Sequence, residues 1–111
     1  MSDGADYTVV WAEQAVVDLE SIIAFMAQSD PLSARRLLDR LRAQAEALEH
    51  LAERGRTVPE LAAFGLVGVR EVIVRPYRLV YRLDRQRVTV MAVFDGRRDL
   101  GDVLFDRLLR S

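Results

Sequence analysis

Residues 69–94, "VREVIVRPYRLVYRLDRQRVTVMAVF", decide the fold because they contain three successive runs rich in β-branched and aromatic residues. The runs are "VREVIV" at 69–74, "YRLVYRL" at 77–83 and "VTVMAVF" at 88–94. Only "RP" separates the first run from the second, and only "DRQR" separates the second from the third. Connections of this length join antiparallel neighbours, so the stretch predicts three strands linked by two hairpins.

Two helices are predicted upstream of these strands. Apolar residues recur at spacings of three and four in a first segment, which predicts a helix over roughly 12–28. Asp30 followed by Pro31 is a helix-start signal, and the apolar stripe of the second helix continues until Gly55 ends it. Because the break between the two helices is short, they are expected to form an antiparallel hairpin.

The remaining segments complete a β-α-α-β-β-β-α layout. Residues 7–11 predict an opening strand, the glycine-containing residues 55–68 a loop, and residues 101–110 a terminal helix. The length fits a single α+β domain, 1–111, in which the acidic residues 1–6 are expected to be disordered. The predicted architecture is a helical hairpin packed on one face of a small, mainly antiparallel twisted sheet, with the other face open.

Alternation along the run 77–83 assigns its side chains to the two faces of the sheet. The tyrosines and leucines share the face toward the helices, whereas Arg78 and Arg82 share the other face. Such an arginine is commonly a solvated residue, and Arg82 is interpreted in that way. Arg78 differs because the last strand runs into "VFDGRRDL", which places Arg97 and Arg98 at the end of a neighbouring strand. Guanidinium groups that converge at one sheet edge require an anion or a carboxylate partner.

Composition limits the classes of function. The net charge is −1, but residues 1–60 carry −5 (6 arginines, 11 acids) and residues 61–111 carry +4 (10 arginines, 6 acids). All 16 basic residues are arginine, and cysteine is absent, which excludes disulfides, thiol nucleophiles and thiolate metal sites. The sequence contains no cofactor or metal motif, no signal peptide and no membrane-spanning run. A cytoplasmic protein without metal or cofactor is therefore expected.

Four motifs together resemble a known family. "DLESIIAFM" in the first helix, "GRTVPEL" after the second, "REVIVRPYRLVYRL" across the hairpin and the closing "VFDGRRDL" are similar to the RelE/ParE superfamily of type II toxin-antitoxin toxins. The similarity extends over about residues 7–108. It implies a two-helix hairpin against a small twisted sheet, and a cognate antitoxin whose flexible segment wraps the toxin in a hetero-oligomer.

The RelE-like branch consists of ribosome-dependent endoribonucleases that cut messenger RNA. In that branch the resemblance gives Arg78 and Arg98 the role of catalytic charge stabilisers on the phosphoryl oxygens. The sequence departs from the branch where a tyrosine often follows the closing arginine, because Leu104 stands there. It also lacks the lysines before the hairpin, where this chain has Arg70, Glu71 and Arg75.

The single histidine, His50, lies in the predicted second helix, far from the arginines. It is interpreted as a helix-surface residue and not as a catalytic base. Glu71, Asp95, Asp99 and the tyrosines have no supporting signature for acid or base chemistry either. These departures weaken the nuclease interpretation.

The ParE-like branch is associated with inhibition of DNA gyrase without chemistry of its own, and "GRTVPEL", "REV" and "GRRDL" are closer to that branch. A ParE-like gyrase inhibitor is therefore preferred to a ribosome-dependent nuclease, and a non-toxic interaction module is the third alternative. In the preferred interpretation a set of arginines binds the target or the antitoxin. The set comprises Arg70, Arg75, Arg78, Arg97 and Arg98.

Overall fold

The computed structural model describes residues 6–62, 65, 68–97 and 101–110. The elements in chain order are β1 (Thr8–Trp11), α1 (Glu13–Ala27), α2 (Pro31–Ala47), β2 (Arg56–Thr57), α3 (Pro59–Ala62), β3 (Val69–Val74), β4 (Tyr77–Asp84), β5 (Arg87–Asp95) and α4 (Gly101–Arg110). Every predicted element is present, and β2 and α3 lie within the segment that the sequence predicts to be a loop. Apart from Asp6, the predicted disordered N-terminus lies outside the described residues.

The strands form one mixed sheet in the order β1-β5-β4-β3-β2. The predicted hairpins are confirmed, since β3 pairs antiparallel with β4 and β4 with β5. The opening strand β1 pairs with β5 in parallel, and the two-residue β2 adds antiparallel to β3. The α+β fold with a helical hairpin on a mainly antiparallel sheet is therefore confirmed. None of the described helices has the length and apolar character needed to cross a bilayer.

The start of α2 follows its sequence signal, but its end does not. The Asp30 side chain accepts hydrogen bonds from the Ser33 backbone N–H at 3.0 Å and from its hydroxyl at 2.6 Å. The helix ends at Ala47, well before Gly55, so the predicted end was wrong. Leu48 and Ala52 remain buried in the turns that follow. Their burial continues the apolar stripe past the helix, which is why the pattern overestimates its length.

A β-bulge changes which face the β5 side chains occupy. Tyr81 pairs with Val90 and Val80 pairs with Ala92, so Met91 is an extra residue in β5. Strict alternation predicts Val90 and Val93 on opposite faces. Instead both pack in the core on the helix side, whereas Met91 packs on the other side.

Both faces of the sheet are covered. The first core lies between the sheet and the α1–α2 hairpin, and Tyr77, Leu79, Tyr81 and Leu83 all contribute to it, as predicted. A second core lies on the other face and includes Leu61 of α3 and two leucines of α4, Leu104 and Leu108. The expectation that this face is open was wrong, because α3 buries Leu61 there and the amphipathic α4 buries Leu104 and Leu108.

The Tyr81 hydroxyl fixes the segment after α2 to the sheet. Tyr81 is fully buried, and its hydroxyl donates to the Ala52 carbonyl oxygen at 2.6 Å and accepts from the Gly55 N–H at 3.1 Å. A Cβ atom at residue 55 would lie 2.5 Å from this hydroxyl oxygen. Glycine is therefore required at residue 55 for the close approach, and not only as a helix stop.

Removing this hydroxyl should destabilise the fold. We expect Tyr81→Phe to lower the free energy of unfolding by about 1–3 kcal/mol, because two buried backbone groups lose a partner. Urea denaturation measures the loss. Tyr77→Phe is the matched control, since the Tyr77 hydroxyl makes no hydrogen bond to a described residue, and its change should stay within about 0.5 kcal/mol. Equal losses in the two variants would contradict the assigned role.

Candidate functional site

Strand register brings two arginine-bearing segments to the same end of the sheet. Tyr77, which opens β4, pairs with Asp95, which closes β5, and the Gly96 N–H donates to the Pro76 carbonyl oxygen at 2.8 Å. Arg75 in the β3–β4 turn and Arg97 after β5 are both exposed there. We call this region, defined by Arg75 and Arg97, the arginine end of the sheet. Arg98 lies outside the described residues.

Arg78 is buried just below the arginine end, with a relative exposure of 6%. Its Nε donates to Glu71 Oε1 at 2.7 Å, and its two Nη atoms donate to the two carboxylate oxygens of Glu60 at 2.6 Å. The guanidinium carbon lies 5.3 Å from the centre of the Phe94 ring, which adds a cation–π contact. Arg78 therefore binds two carboxylates of its own chain.

Glu71 connects the buried Arg78 to a second arginine, Arg56, which is exposed. The Glu71 side chain is fully buried, and its Oε2 accepts from Arg56 Nε at 2.6 Å. Arg56 comes from β2, Glu71 from β3, Arg78 from β4 and Glu60 from α3. We call these four residues the carboxylate clamp. Its formal charge is zero, with two guanidinium groups and two carboxylates.

Within the clamp, Glu60 and Arg78 shift each other's pKa. Hydrogen bonds from Arg78 hold the pKa of Glu60 below its ordinary value. In turn, hydrogen bonds to Glu60 raise the pKa of Arg78 further above its already high value. Arg78 therefore remains a cation at any physiological pH, and it can stabilise charge but cannot exchange a proton.

Gly96 of the "DGRR" motif makes room for the stem of Arg78. A Cβ atom at residue 96 would lie 2.9 Å from both Cγ and Cδ of Arg78. As part of an Asp-Gly dipeptide, this glycine indicates only a turn that ends the strand. Its second role is steric, because a larger residue would push Arg78 away from the clamp.

The other predicted site arginines have different environments. Arg70 Nη1 donates to the Gly55 carbonyl oxygen at 2.9 Å, so this guanidinium supports the loop after α2. Arg97 pairs with Asp95 through Nε at 2.9 Å and Nη2 at 2.5 Å, yet its side chain is 77% exposed. Arg75 forms no ion pair with a described residue. The structure thus leaves Arg75 and Arg97 accessible and encloses Arg78.

An apolar cleft of about 600 Å³ adjoins the arginine end, between α1, the end of β5 and α4. Its lining includes the exposed apolar residues Val17, Phe25 and Val103, of which Phe25 is 77% exposed. Arg107 of α4 donates to the Asp18 carboxylate of α1 at 2.9 Å and also lines the cleft. This surface was not predicted from the sequence. The available signal was that the apolar residues Val17 and Phe25 lie off the stripe that predicts α1. That stripe comprises Ala12, Ala15, Val16, Leu19, Ile22, Ile23 and Met26.

Sequence comparisons identify relatives of the chain. The profile of the ParE toxin of the type II toxin-antitoxin system, parDE, matches residues 9–100. Toxin RelE2 of Caulobacter vibrioides is 36% identical over 74 residues, which cover 66% of this chain and 76% of that protein.

Solved structures share the fold. The chromosomal ParDE toxin-antitoxin system from P. aeruginosa superposes with a TM-score of 0.67 at 19% identity, covering 83% of this chain and 98% of that chain. A mutant of E. coli toxin RelE in the free state superposes with a TM-score of 0.64 at 15% identity. The superposition covers 95% of this chain and 97% of that chain. The RelBE2 toxin-antitoxin complex from Mycobacterium tuberculosis superposes with a TM-score of 0.56 at 22% identity. The superposition covers 84% of this chain and 94% of that chain.

Breaking the carboxylate clamp should cost stability. We expect Arg78→Ala to lower the free energy of unfolding by about 3–5 kcal/mol, because it leaves the buried Glu71 carboxylate without its buried partner. Arg82→Ala on the same strand is the control and should change it by less than about 0.5 kcal/mol. Urea denaturation of both variants measures the difference. If Arg78→Ala were as mild as Arg82→Ala, the clamp would not be structural.

The clamp should also respond to acid. The pKa of Glu60 in the folded state lies below its ordinary value of 4.5. Its stabilising contribution is therefore complete above that value and is lost as the pH falls toward the folded-state pKa. We expect the urea midpoint to fall more steeply between about pH 5 and pH 3 in the wild type than in Glu60→Gln. All other carboxylates are common to the wild type and Glu60→Gln. If their urea midpoints had the same pH dependence, the stabilising role assigned to Glu60 would be contradicted.

Proposed function

The chain belongs to the ParE toxin family of type II toxin-antitoxin systems, and from this premise we propose that it inhibits its target by binding, without catalysis. The single observation that carries the proposal is the enclosure of Arg78 by Glu60 and Glu71. A nuclease needs this cation to be free for a scissile phosphate. Here all three donor groups of the guanidinium point to carboxylates of the same chain.

Other positions that the nuclease branch uses support the proposal. Leu104, at the position nearest to the expected tyrosine, is an apolar residue of the second core with 1% exposure. Arg70 and Arg75 stand where lysines are expected, and a guanidinium that stays protonated is a poor acid or base. The local chemistry favours an electrostatic contact surface over a reaction centre.

We propose DNA gyrase as the target, because the motifs "GRTVPEL", "REV" and "GRRDL" are closest to the ParE-like branch. Arg75 and Arg97 would contact an acidic surface of that enzyme. Arginine suits this role because its planar donor groups bind carboxylates in a bidentate manner. Gyrase acts on chromosomal DNA, which places the proposed activity in the bacterial cytoplasm.

We further propose that a cognate antitoxin neutralises the protein by covering the apolar cleft beside the arginine end. Phe25 and Val17 expose apolar surface there, and such patches are typical of protein contacts. The solved ParDE and RelBE2 structures are both described as toxin-antitoxin assemblies, which supports an antitoxin partner. A segment seated in this cleft would also mask Arg97, which lines it.

Purified protein should inhibit DNA supercoiling by gyrase and leave message intact in a translation extract. Supercoiling is measured on relaxed plasmid, and message integrity is measured by primer extension in the extract. Inhibition without cleavage supports the proposal. Message cleavage would contradict the proposal and support the ribosome-dependent nuclease. No effect in either assay would contradict it and support a non-toxic interaction module.

Variants at the two ends of the sheet sharpen this test. We expect Arg75→Ala combined with Arg97→Ala to weaken gyrase inhibition roughly tenfold, which corresponds to about 1.4 kcal/mol of lost contact energy. Arg85→Ala, in the β4–β5 turn at the opposite end of the sheet, should leave inhibition unchanged. Neither change touches the carboxylate clamp. Equal inhibition of gyrase by the double variant and by Arg85→Ala would exclude the arginine end as the contact surface.

A further inference from the structure

A second group of polar side chains lies at the end of the sheet opposite the arginine end. Thr8 pairs with Arg87 where β5 begins, and Asp6 lies two residues before Thr8. Asp6 meets Glu49 and His50, which follow α2, and each of the three offers one ligand atom within 4.8 Å of the others. We propose that these three residues form a binding site for a first-row divalent transition metal, with Zn²⁺ as the reference ion.

The ligand chemistry fits this class of ion. One imidazole nitrogen and two carboxylate oxygens form a donor set that zinc accepts, at bond lengths of about 2.0–2.2 Å. Ligand atoms bound at that distance lie roughly 3–4 Å apart around the ion. One ligand atom of each residue lies within 4.8 Å of the others, and His50 Nδ1 lies 2.9 Å from Asp6 Oδ1. Calcium and magnesium prefer oxygen ligands alone, so an imidazole disfavours them.

The backbone already holds the three ligands together. The Tyr7 N–H donates to the Glu49 carbonyl oxygen at 2.8 Å, which fixes the segment around Asp6 beside the end of α2. The His50 N–H donates to the Ala47 carbonyl oxygen at 3.2 Å, so the histidine backbone is also anchored. Binding would therefore need side-chain rotation, in which bonds to the ion replace the hydrogen bond between His50 Nδ1 and Asp6 Oδ1.

Local charge favours a cation at this position. Glu46 lines the same cleft as Asp6 and Glu49, a space of about 620 Å³. Among the described residues, the ion-pair partner of Asp6 and of Glu49 is His50, and neither carboxylate is paired with an arginine. The side chains of Asp6, Glu49 and His50 are 70%, 54% and 65% exposed, so an ion reaches them from solvent. Solvent molecules would complete its coordination.

Sequence spacing hides this site. His50 and Asp6 are separated by 44 positions, so no short metal motif contains them. The chain has one histidine and no cysteine, so His50 is its single source of an imidazole or thiolate ligand. A bound ion would join the N-terminal segment to the end of α2, and it would stabilise the folded chain in proportion to its concentration.

The test is a Zn²⁺ titration of the full untagged chain, followed by calorimetry and by thermal unfolding. We expect one ion per chain and a melting temperature that rises with Zn²⁺ concentration, whereas Mg²⁺ at the same concentrations gives no rise. Loss of an outer-shell partner typically weakens metal binding by about 10–100-fold, and loss of a ligand costs no less. His50→Gln should therefore weaken Zn²⁺ binding at least tenfold, and Asp6→Asn should weaken it as well.

Glu53→Gln is the matched control, because Glu53 is an exposed acid of the same region outside the three ligands. It should bind Zn²⁺ as the wild type does. The three substituted side chains are exposed, so all variants are expected to fold, and circular dichroism verifies this. Equal Zn²⁺ binding by His50→Gln and wild type would overturn the proposal, as would no binding by the wild type at millimolar Zn²⁺. Neither result bears on the gyrase assay, since the two sites lie at opposite ends of the sheet.

Discussion

The buried ion pair between Glu71 and Arg78 is the constraint on which the structure next to the arginine end of the sheet depends. A carboxylate and a guanidinium removed from water are tolerated only when their remaining atoms are also bonded. Glu60 and Arg56 provide those bonds from the short elements α3 and β2. The same cation that a nuclease would present to phosphate is thereby used to assemble the fold.

Most of the fold could be predicted from the sequence, because its signals are local. The hairpin joints, the Asp30–Pro31 helix start and the alternation in β4 all depend on near neighbours. The predictions were wrong where contacts between residues distant in sequence determine the structure. The bulge at Met91 depends on pairing with Tyr81, and closure of the second face depends on burial of Leu104 in α4.

The site was predictable only in part. Sequence placed Arg78 on the face away from the helical hairpin and Arg97 near the end of a neighbouring strand, and strand register agrees with both. It did not reveal that Glu60 and Glu71 would neutralise Arg78, since those contacts cross three elements. Two acids in "GRTVPEL" and "REV" carried the missing information. Charge alternation alone does not distinguish a solvated glutamate from a buried one.

The role of Arg78 can be observed directly through its Nε–H resonance in ¹H–¹⁵N NMR spectra of the wild-type protein. If Arg78 is held by the carboxylate clamp, this proton exchanges slowly with water at neutral pH and keeps its chemical shift when a short oligoribonucleotide is added. Rapid exchange in the free protein, or a saturable shift on addition of RNA, would contradict a structural Arg78 and show a cation available to phosphate.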